Sequence, residues 1–386
     1  MRASGKHVAF VLPSLAAGGA ERVQVELAHA FLARGHRISF VLRQRRGDLL
    51  DALDPAISVH SLDVARVRGL PVPLVRTLRA LRPDAVLAAM WPLTGMTAAL
   101  CRLVQPRPRI VVSEHTDFRT ARYIGGAERR LLRRAGRAIY GTADALVAVS
   151  NGVADGLSSV AGLRRDRIVV IPNPIRTPGD ARPDPGDAEL LGWWKRGDRM
   201  LVSVGSLKEA KGYPDLLDAV ARLREAGDMR LVVVGEGPLR AALEEQRAAL
   251  GLDDAVRFVG FRADPAPLVR QADLFVLSSR WEGFGNVIVE ALGSGVPVVA
   301  TDCRSGPREI LADGRYGTLA PVADPVGLAR AIRTALDASP DREALRRRAA
   351  DFAPDIAAEA YLRLLFPDGR AGGHGARRGR EGGSGA

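Results

Sequence analysis

The sequence predicts an α/β protein made of two doubly wound domains in tandem, each a parallel sheet covered by helices on both faces. Three observations predict it. Short apolar runs alternate with amphipathic stretches, the rhythm of βαβ units. That alternation breaks between Pro172 and Asp198, where five prolines and two tryptophans fall without an apolar period, and then restarts. At roughly 150 residues per domain, a chain of 386 residues holds two, each large enough to bury its own core.

In the first half, His7–Leu12 reads as a strand, and Ala20–Ala33 as an amphipathic helix ended by Gly35, which tolerates the left-handed cap conformation. Arg37–Leu42, Ala85–Ala89, Ile110–Ser113, Ala145–Ser150 and Ile168–Ile171 read as further strands. Proline fixes the backbone and removes a pairing donor, so 176–198 reads as a linker between a domain at 1–175 and one at 199–352. The second half gives strands at Met200–Val204, Leu231–Val234, Val256–Val259, Leu274–Leu277 and Val296–Ala300. Its helices are expected at Pro214–Glu225, Leu239–Leu250, Asn286–Leu292, Pro325–Leu336 and Arg342–Asp351. Pro354–Phe366 is a last amphipathic helix, assigned to a segment 353–366 that packs back toward the first domain. The Gly/Arg-rich stretch 367–386 reads as disordered.

Composition excludes several classes. Two distant cysteines, Cys101 and Cys303, make no disulfide framework. The most apolar stretch, Ala85–Leu100, is interrupted by Pro92 and Gly95, short of the ~20 residues a spanning helix needs. A cytoplasmic protein, peripheral on the inner face of the membrane at most, is the expectation. The net charge of +12 invites a nucleic-acid binder, but aromatics at 5% leave little for a base-stacking platform. Arginine supplies 52 of the 56 basic residues, as GC-rich codon usage would, and no nucleic-acid partner is expected.

In doubly wound sheets, ligands bind beyond the carboxyl ends of strands, so the loops after strands carry the candidates. Pro13–Arg22 follows the first strand, and there Gly18 and Gly19 let a ligand approach the backbone at a helix start. Ser113-Glu114-His115-Thr116-Asp117 places a histidine at a strand end, suited to hold a hydroxyl or shuttle a proton. Gly205–Gly212 holds two of the four lysines, Lys208 and Lys211, compact cations suited to phosphate. The most informative loop follows Leu274–Leu277. In it Glu282 lies in a Gly-rich turn and Glu290 about one turn into the next helix. Helical side chains lean toward the N-terminus, so both carboxylates can face one crevice. The amides of Phe284, Gly285 and Asn286 open that helix toward phosphate or sugar oxygens.

These residues resemble the retaining glycosyltransferases of the GT-B fold, family four. The Glu282-x7-Glu290 element within E-G-F-G-N-V-I-V-E-A-L carries the likeness. G-G-A-E-R at 18–22, I-P-N-P-I at 171–175, G-S-L-x-x-x-K-G at 205–212, V-G-E-G-P at 234–238 and F-V-G-F at 258–261 extend it. The segment 302–309 is similar to a subgroup that builds lipopolysaccharide, capsule or lipid-linked glycans.

The resemblance implies two facing Rossmann-like domains with a deep cleft, an acceptor-binding first domain and a nucleotide-sugar-binding second. Its reaction is transfer of a sugar, commonly from a UDP donor, to a glycan or lipid-linked acceptor. Glu290 would hold the donor ribose, Glu282 the sugar hydroxyls, Lys211 the diphosphate and His115 the donor sugar. Gly260 and Phe261 would meet the base, and Gly18 and Gly19 would make room for the diphosphate. Many members carry arginine where this chain has Ser206, so that contact is open here, with Lys208 a candidate to compensate. No Asp-x-Asp pair occurs, and transfer without a metal or other cofactor is the expectation.

Two rival readings are an epimerase or hydrolase acting on the nucleotide sugar alone, and the basic nucleic-acid binder. A basic amphipathic stretch, Arg129, Arg130, Arg133, Arg134 and Arg137 beside Leu131, Leu132 and Ile139, makes an anionic membrane surface a candidate partner.

Overall fold

The computed structural model describes residues 5–367 apart from 17, 122–123, 178, 180–184, 197–198, 225–226 and 228. Parts of the expected linker, and the expected tail beyond 367, lie outside the described residues.

The first half runs β1 (His7–Leu12), α1 (Gly19–Ala33), β2 (Arg37–Leu42), β3 (Ser58–Ser61), α2 (Pro71–Leu81), β4 (Ala85–Ala89) and α3 (Leu93–Leu100), then β5 (Arg109–Glu114), α4 (Gly126–Tyr140), β6 (Ala145–Ala148), α5 (Asn151–Ala161) and β7 (Ile168–Val170). The second half runs α6 (Ala188–Trp194), β8 (Arg199–Val204), α7 (Tyr213–Arg224), β9 (Met229–Val234), α8 (Arg240–Ala249), β10 (Val256–Phe258), α9 (Ala266–Val269) and β11 (Leu274–Leu277), then α10 (Asn286–Gly293), β12 (Val298–Thr301), α11 (Pro307–Ile310), β13 (Thr318–Ala320), α12 (Pro325–Asp337), α13 (Arg342–Ala350) and α14 (Pro354–Leu365).

Both sheets are parallel. Their orders are β3-β2-β1-β4-β5-β6-β7 and β10-β9-β8-β11-β12-β13. Each order reverses beside its first strand, and the crevice at such a switch point is where doubly wound folds take ligands. β1 is buried along its whole length, as expected of a central strand covered on both faces.

The sequence pattern overlooked two of the four edge strands. β3 is a short polar segment with no fully buried residue, and β13 has three residues. The strand expected from Val296 starts at Val298, after Pro297, which has no amide to donate.

One expectation needs correction. Residues 188–194 of the expected linker form a helix packed on the second sheet. Trp193 donates its indole N–H to the Asp254 carbonyl and Trp194 to that of Arg230, each at 3.1 Å. Trp194 is fully buried. A seven-residue helix is too short to show a period, so a tryptophan pair rather than an amphipathic pattern anchors it.

α14 returns to the first half. There Tyr361 and Ser113 share a buried hydroxyl–hydroxyl bond of 2.8 Å and Arg34 pairs with Asp355. No helix among the described residues is long and apolar enough to cross a membrane.

The halves meet along a close seam at the carboxyl ends of their strands. Glu309 of the second half accepts from the amides of Asn151 (2.9 Å) and Gly152 (3.3 Å), an acidic cap on the start of α5 in the first half. Ser150 donates to the Gly283 carbonyl at 2.7 Å. Asn173 donates to Asn286, which donates in turn to the Gly19 carbonyl.

Glycine permits this approach: a Cβ on Gly283 would lie 1.9 Å from the His115 carbonyl oxygen, and one on Gly152 2.3 Å from the Ser305 hydroxyl. Overpacking of this kind typically costs about 1–3 kcal/mol. Gly283→Ala should therefore lower the unfolding temperature and enlarge the radius of gyration measured by small-angle scattering. Wild-type values for both would show that the halves do not depend on this contact.

Candidate active site

The seam encloses a cleft of 710 Å3 above the switch points of both sheets. Two helix starts open into it. Gly18 precedes α1 in an extended conformation, and Gly285 precedes α10 at φ +102°; neither helix has a side-chain cap. The first amides of a helix lack intrahelical partners and carry the positive end of its dipole. The uncapped α10 start offers an anion site built from backbone, whereas the Glu21 carboxyl lies against Gly18 at the α1 start and accepts from its own amide.

The charged side chains sit between them. Lys211 ends a short helical turn after β8, where Gly212 adopts φ +59° and turns the chain into α7. Its ammonium donates to Glu282 Oε1 at 2.6 Å, and the Ser279 hydroxyl donates to the same oxygen at 2.6 Å. Both partners of the ion pair are mostly shielded, with side chains 19% and 11% exposed. Charges so placed interact more strongly than at a free surface, so an incoming anion would compete with Glu282 for the ammonium.

Glu290 lines the same cleft one turn into α10. Burial pushes its carboxyl above the usual range, against the opposing pull of Arg22 and Lys211. Glu21, on α1, is likewise raised by burial.

His115, just past β5, also lines the cleft. Burial holds its ring down to about 4, so it is neutral near pH 7. Its Nε2 lies 3.1 Å from the Gln24 amide nitrogen and 3.2 Å from the Ser113 hydroxyl. The Gln24 amide, as oriented, donates to Nε2 and leaves the proton on Nδ1, which has no partner among the described residues. That form carries one buried, unmatched N–H and is a poor proton acceptor. The neighbouring Glu114 turns the other way. It is fully buried, accepts from Thr94 and Tyr140, and is pushed by burial up to about 7.

The structure brings together Gly18, Gly19, His115, Ser206, Lys211, Phe261, Glu282, Phe284, Gly285, Asn286 and Glu290 on the walls of this one cleft. Gly260 is the exception: it stands just behind, at φ +78°, its carbonyl accepting from Gly235 at 2.8 Å. The Phe284 ring packs edge-on against Phe352, so only its backbone can face a ligand. The Asn286 side chain is committed to the seam.

Arg22, Asn173 and Glu21 line the cleft without having been singled out. Their motifs, G-G-A-E-R and I-P-N-P-I, were the available signal. Gln24, which orients His115, gave none. Among the described residues no three His, Cys, Asp or Glu side chains are placed to hold one metal ion.

Known proteins match this arrangement. The Glycosyltransferase Family 4 model matches residues 17–177, and the model for group 1 glycosyl transferases matches 198–338. A lipopolysaccharide core biosynthesis glycosyltransferase of Rhizobium meliloti, LpsE, is 28% identical over 362 residues, covering 90% of this chain and 96% of that protein. The glycogen synthase of Mycobacterium tuberculosis is 32% identical over 289 residues, 73% of this chain and 66% of that one. The crystal structure of Anabaena Alr3699/HepE in complex with UDP-glucose superposes with a TM-score of 0.78 at 23% identity, covering 94% of this chain and all of the other (100%). The lipopolysaccharide glycosyltransferase WaaG gives 0.67 at 23% identity, over 93% and 99% of the two chains. With one family model on each half and the GT-B architecture around a shared cleft, the chain is a glycosyltransferase of family 4, group 1.

Proposed function

We propose that this glycosyltransferase moves a sugar, with retention of anomeric configuration, from a nucleotide-diphosphate donor of the UDP-sugar type to a glycan or lipid-linked acceptor in cell-surface polysaccharide synthesis. The observation that carries the reading is the convergence of Lys211, the uncapped start of α10 and Glu290 in one cleft. UDP-glucose in Anabaena HepE and the lipopolysaccharide roles of the Rhizobium enzymes support the donor and acceptor classes.

Cleaving a glycosyl–diphosphate bond builds negative charge on the leaving group and oxocarbenium character on the sugar. Lys211 and the α10 amides, fixed before the reaction begins, stabilise that charge as it forms. The cation in this scheme is the lysine, and no step needs a metal or other cofactor. Ser206 adds one hydroxyl to the same wall.

Glu290 accepts from the ribose hydroxyl pair, and Phe261, exposed at the cleft edge, meets the base with Gly260 behind it. Glu282, released from Lys211 when the diphosphate takes the ammonium, accepts from the donor sugar. Neutral His115 donates Nδ1–H to a sugar hydroxyl and holds it in place rather than shuttling a proton. Retention follows if the acceptor attacks on the face that the diphosphate vacates.

α4 bears the proposed membrane contact, on the inner face of the cell membrane. Arg130, Arg133, Arg134 and Arg137 are exposed beside Leu131, itself 50% exposed. Leu132 is buried, and Arg129 instead ties the preceding loop by donating to the Phe118 and Ala121 carbonyls. The surface on offer is thus four arginines and one leucine.

Lys211→Ala should reduce transfer at least about a hundredfold, the scale of losing one preorganised charge-stabilising donor, with the unfolding temperature near wild type. Turnover within twofold of wild type would remove the lysine from the mechanism. Calorimetry with UDP should show Glu290→Gln binding roughly tenfold more weakly, as loss of a charged hydrogen-bond acceptor predicts; equal affinity would take the ribose away from Glu290. In vesicle flotation, binding should rise with acidic lipid and fall as salt screens it, whereas binding indifferent to lipid charge would dismiss the membrane face.

A further inference from the structure

Glu282 stands in a wall between two cavities. One is the cleft described above, built on the ends of β9, β8 and β11. The other, of 280 Å3, lies past β11, where the loops after β11, β12 and β13 meet the loop after β5 of the first half. Its size falls just short of the usual small-molecule sites, roughly 300 Å3 upward, room for a sugar unit rather than a nucleotide.

Its charges leave one remainder. Asp117 is bound by Arg119 (2.8 Å), Arg280 by Asp215 (3.0 Å) and Glu282 by Lys211 (2.6 Å). Asp302 is bound through Arg308 Nε at 3.0 Å. Only Arg304 on this wall has neither an ion pair nor a side-chain hydrogen bond among the described residues, and it is exposed. A guanidinium with its fork of donors free suits an oxyanion such as a carboxylate or phosphate.

Ser305, next in sequence, is 2% exposed, and its hydroxyl has no partner among the described residues. That hydroxyl is itself buried and faces Gly152 of α5 across the seam, so the polar group this wall offers to a ligand is the Arg304 guanidinium. Trp281 and the Thr120 hydroxyl-bearing turn complete the walls.

We propose that this cavity is the acceptor subsite, and that it takes a saccharide bearing an anionic group, a carboxylate or a phosphate, with the anion on Arg304. The proposal rests on the assignment of the larger cleft to the nucleotide sugar. Given that assignment, Glu282 marks the sugar end of the donor, because Glu290 lies at the ribose end. An acceptor in the second cavity then reaches the donor sugar from the side of β12 and β13, with its anion held beyond the reacting hydroxyl. Arg304 is a binding residue here and takes no part in bond breaking.

The test uses the full chain saturated with UDP and three probes: methyl glucoside, methyl glucuronide and glucose 6-phosphate. Binding is followed by ligand-observed NMR titration. Wild type should bind at least one charged probe about tenfold or more tightly than the neutral one, the scale expected for a charge-assisted contact. Comparing the two charged probes decides between carboxylate and phosphate.

Arg304→Ala should erase that preference while leaving UDP affinity unchanged by calorimetry. Arg304→Lys should restore part of it, because a charge remains without the fork. Equal binding of charged and neutral probes by wild type, no binding of any probe, or an undiminished preference in Arg304→Ala would overturn the proposal. Failure of UDP itself to bind wild type would instead strike the assignment of the larger cleft, so the two failures are separable.

Discussion

The contact between Gly283 and the His115 carbonyl is the constraint on which the site depends. Each half has a competent sheet and core of its own, but neither holds the site alone. The second half brings Lys211, Glu282, Glu290 and the α10 amides; the first brings His115, Gly18 and Gly19. A missing side chain at Gly283 lets the loop bearing Glu282 touch the end of β5. Ser150 and Glu309 then fasten the approach with directed hydrogen bonds. Shape sets the distance and polar contacts set the register.

Electrostatics inside the cleft follow from that closure. Excluding water raises Glu290 and lowers His115, both by disfavouring the charged form. The same exclusion tightens the Lys211–Glu282 pair. A lysine already held by a carboxylate is not wasted, because the pair keeps the ammonium pointed into the cleft at low entropic cost. In the proposed reaction a diphosphate, with more charge and more acceptor oxygens than one carboxylate, would displace Glu282 and free it for sugar hydroxyls. Donor binding and the release of Glu282 would then be one event.

Much of this was legible in the sequence because it depends on local pattern. Alternation located the central strands, and rules about strand ends located the loops that matter. Glycines at 18, 19 and 285 are visible as letters and act through backbone. What was not legible depends on distance along the chain. Gln24 reaches His115 across 91 positions and Tyr361 reaches Ser113 across 248; neither has a local signature. The Trp193–Trp194 helix was misread as linker because prolines dominate its surroundings and seven residues show no period. The edge strands β3 and β13 escaped because neither presents a buried face on both sides.

The order of strands in the second sheet also orders the chemistry. β9 and β8 end beneath the larger cleft, the loop after β11 carries Glu282, and β12 and β13 end beneath the smaller cavity with Arg304. Under the proposed assignments a donor and an acceptor would meet along this single edge, with the carboxylate of Glu282 at the meeting point. One strand of the first half reaches both cavities: β5 leads into His115 at the larger cleft and into Asp117 and Thr120 at the smaller one. If the smaller cavity takes the acceptor, its selection would reside in the loops after β5, β12 and β13, outside both sheets.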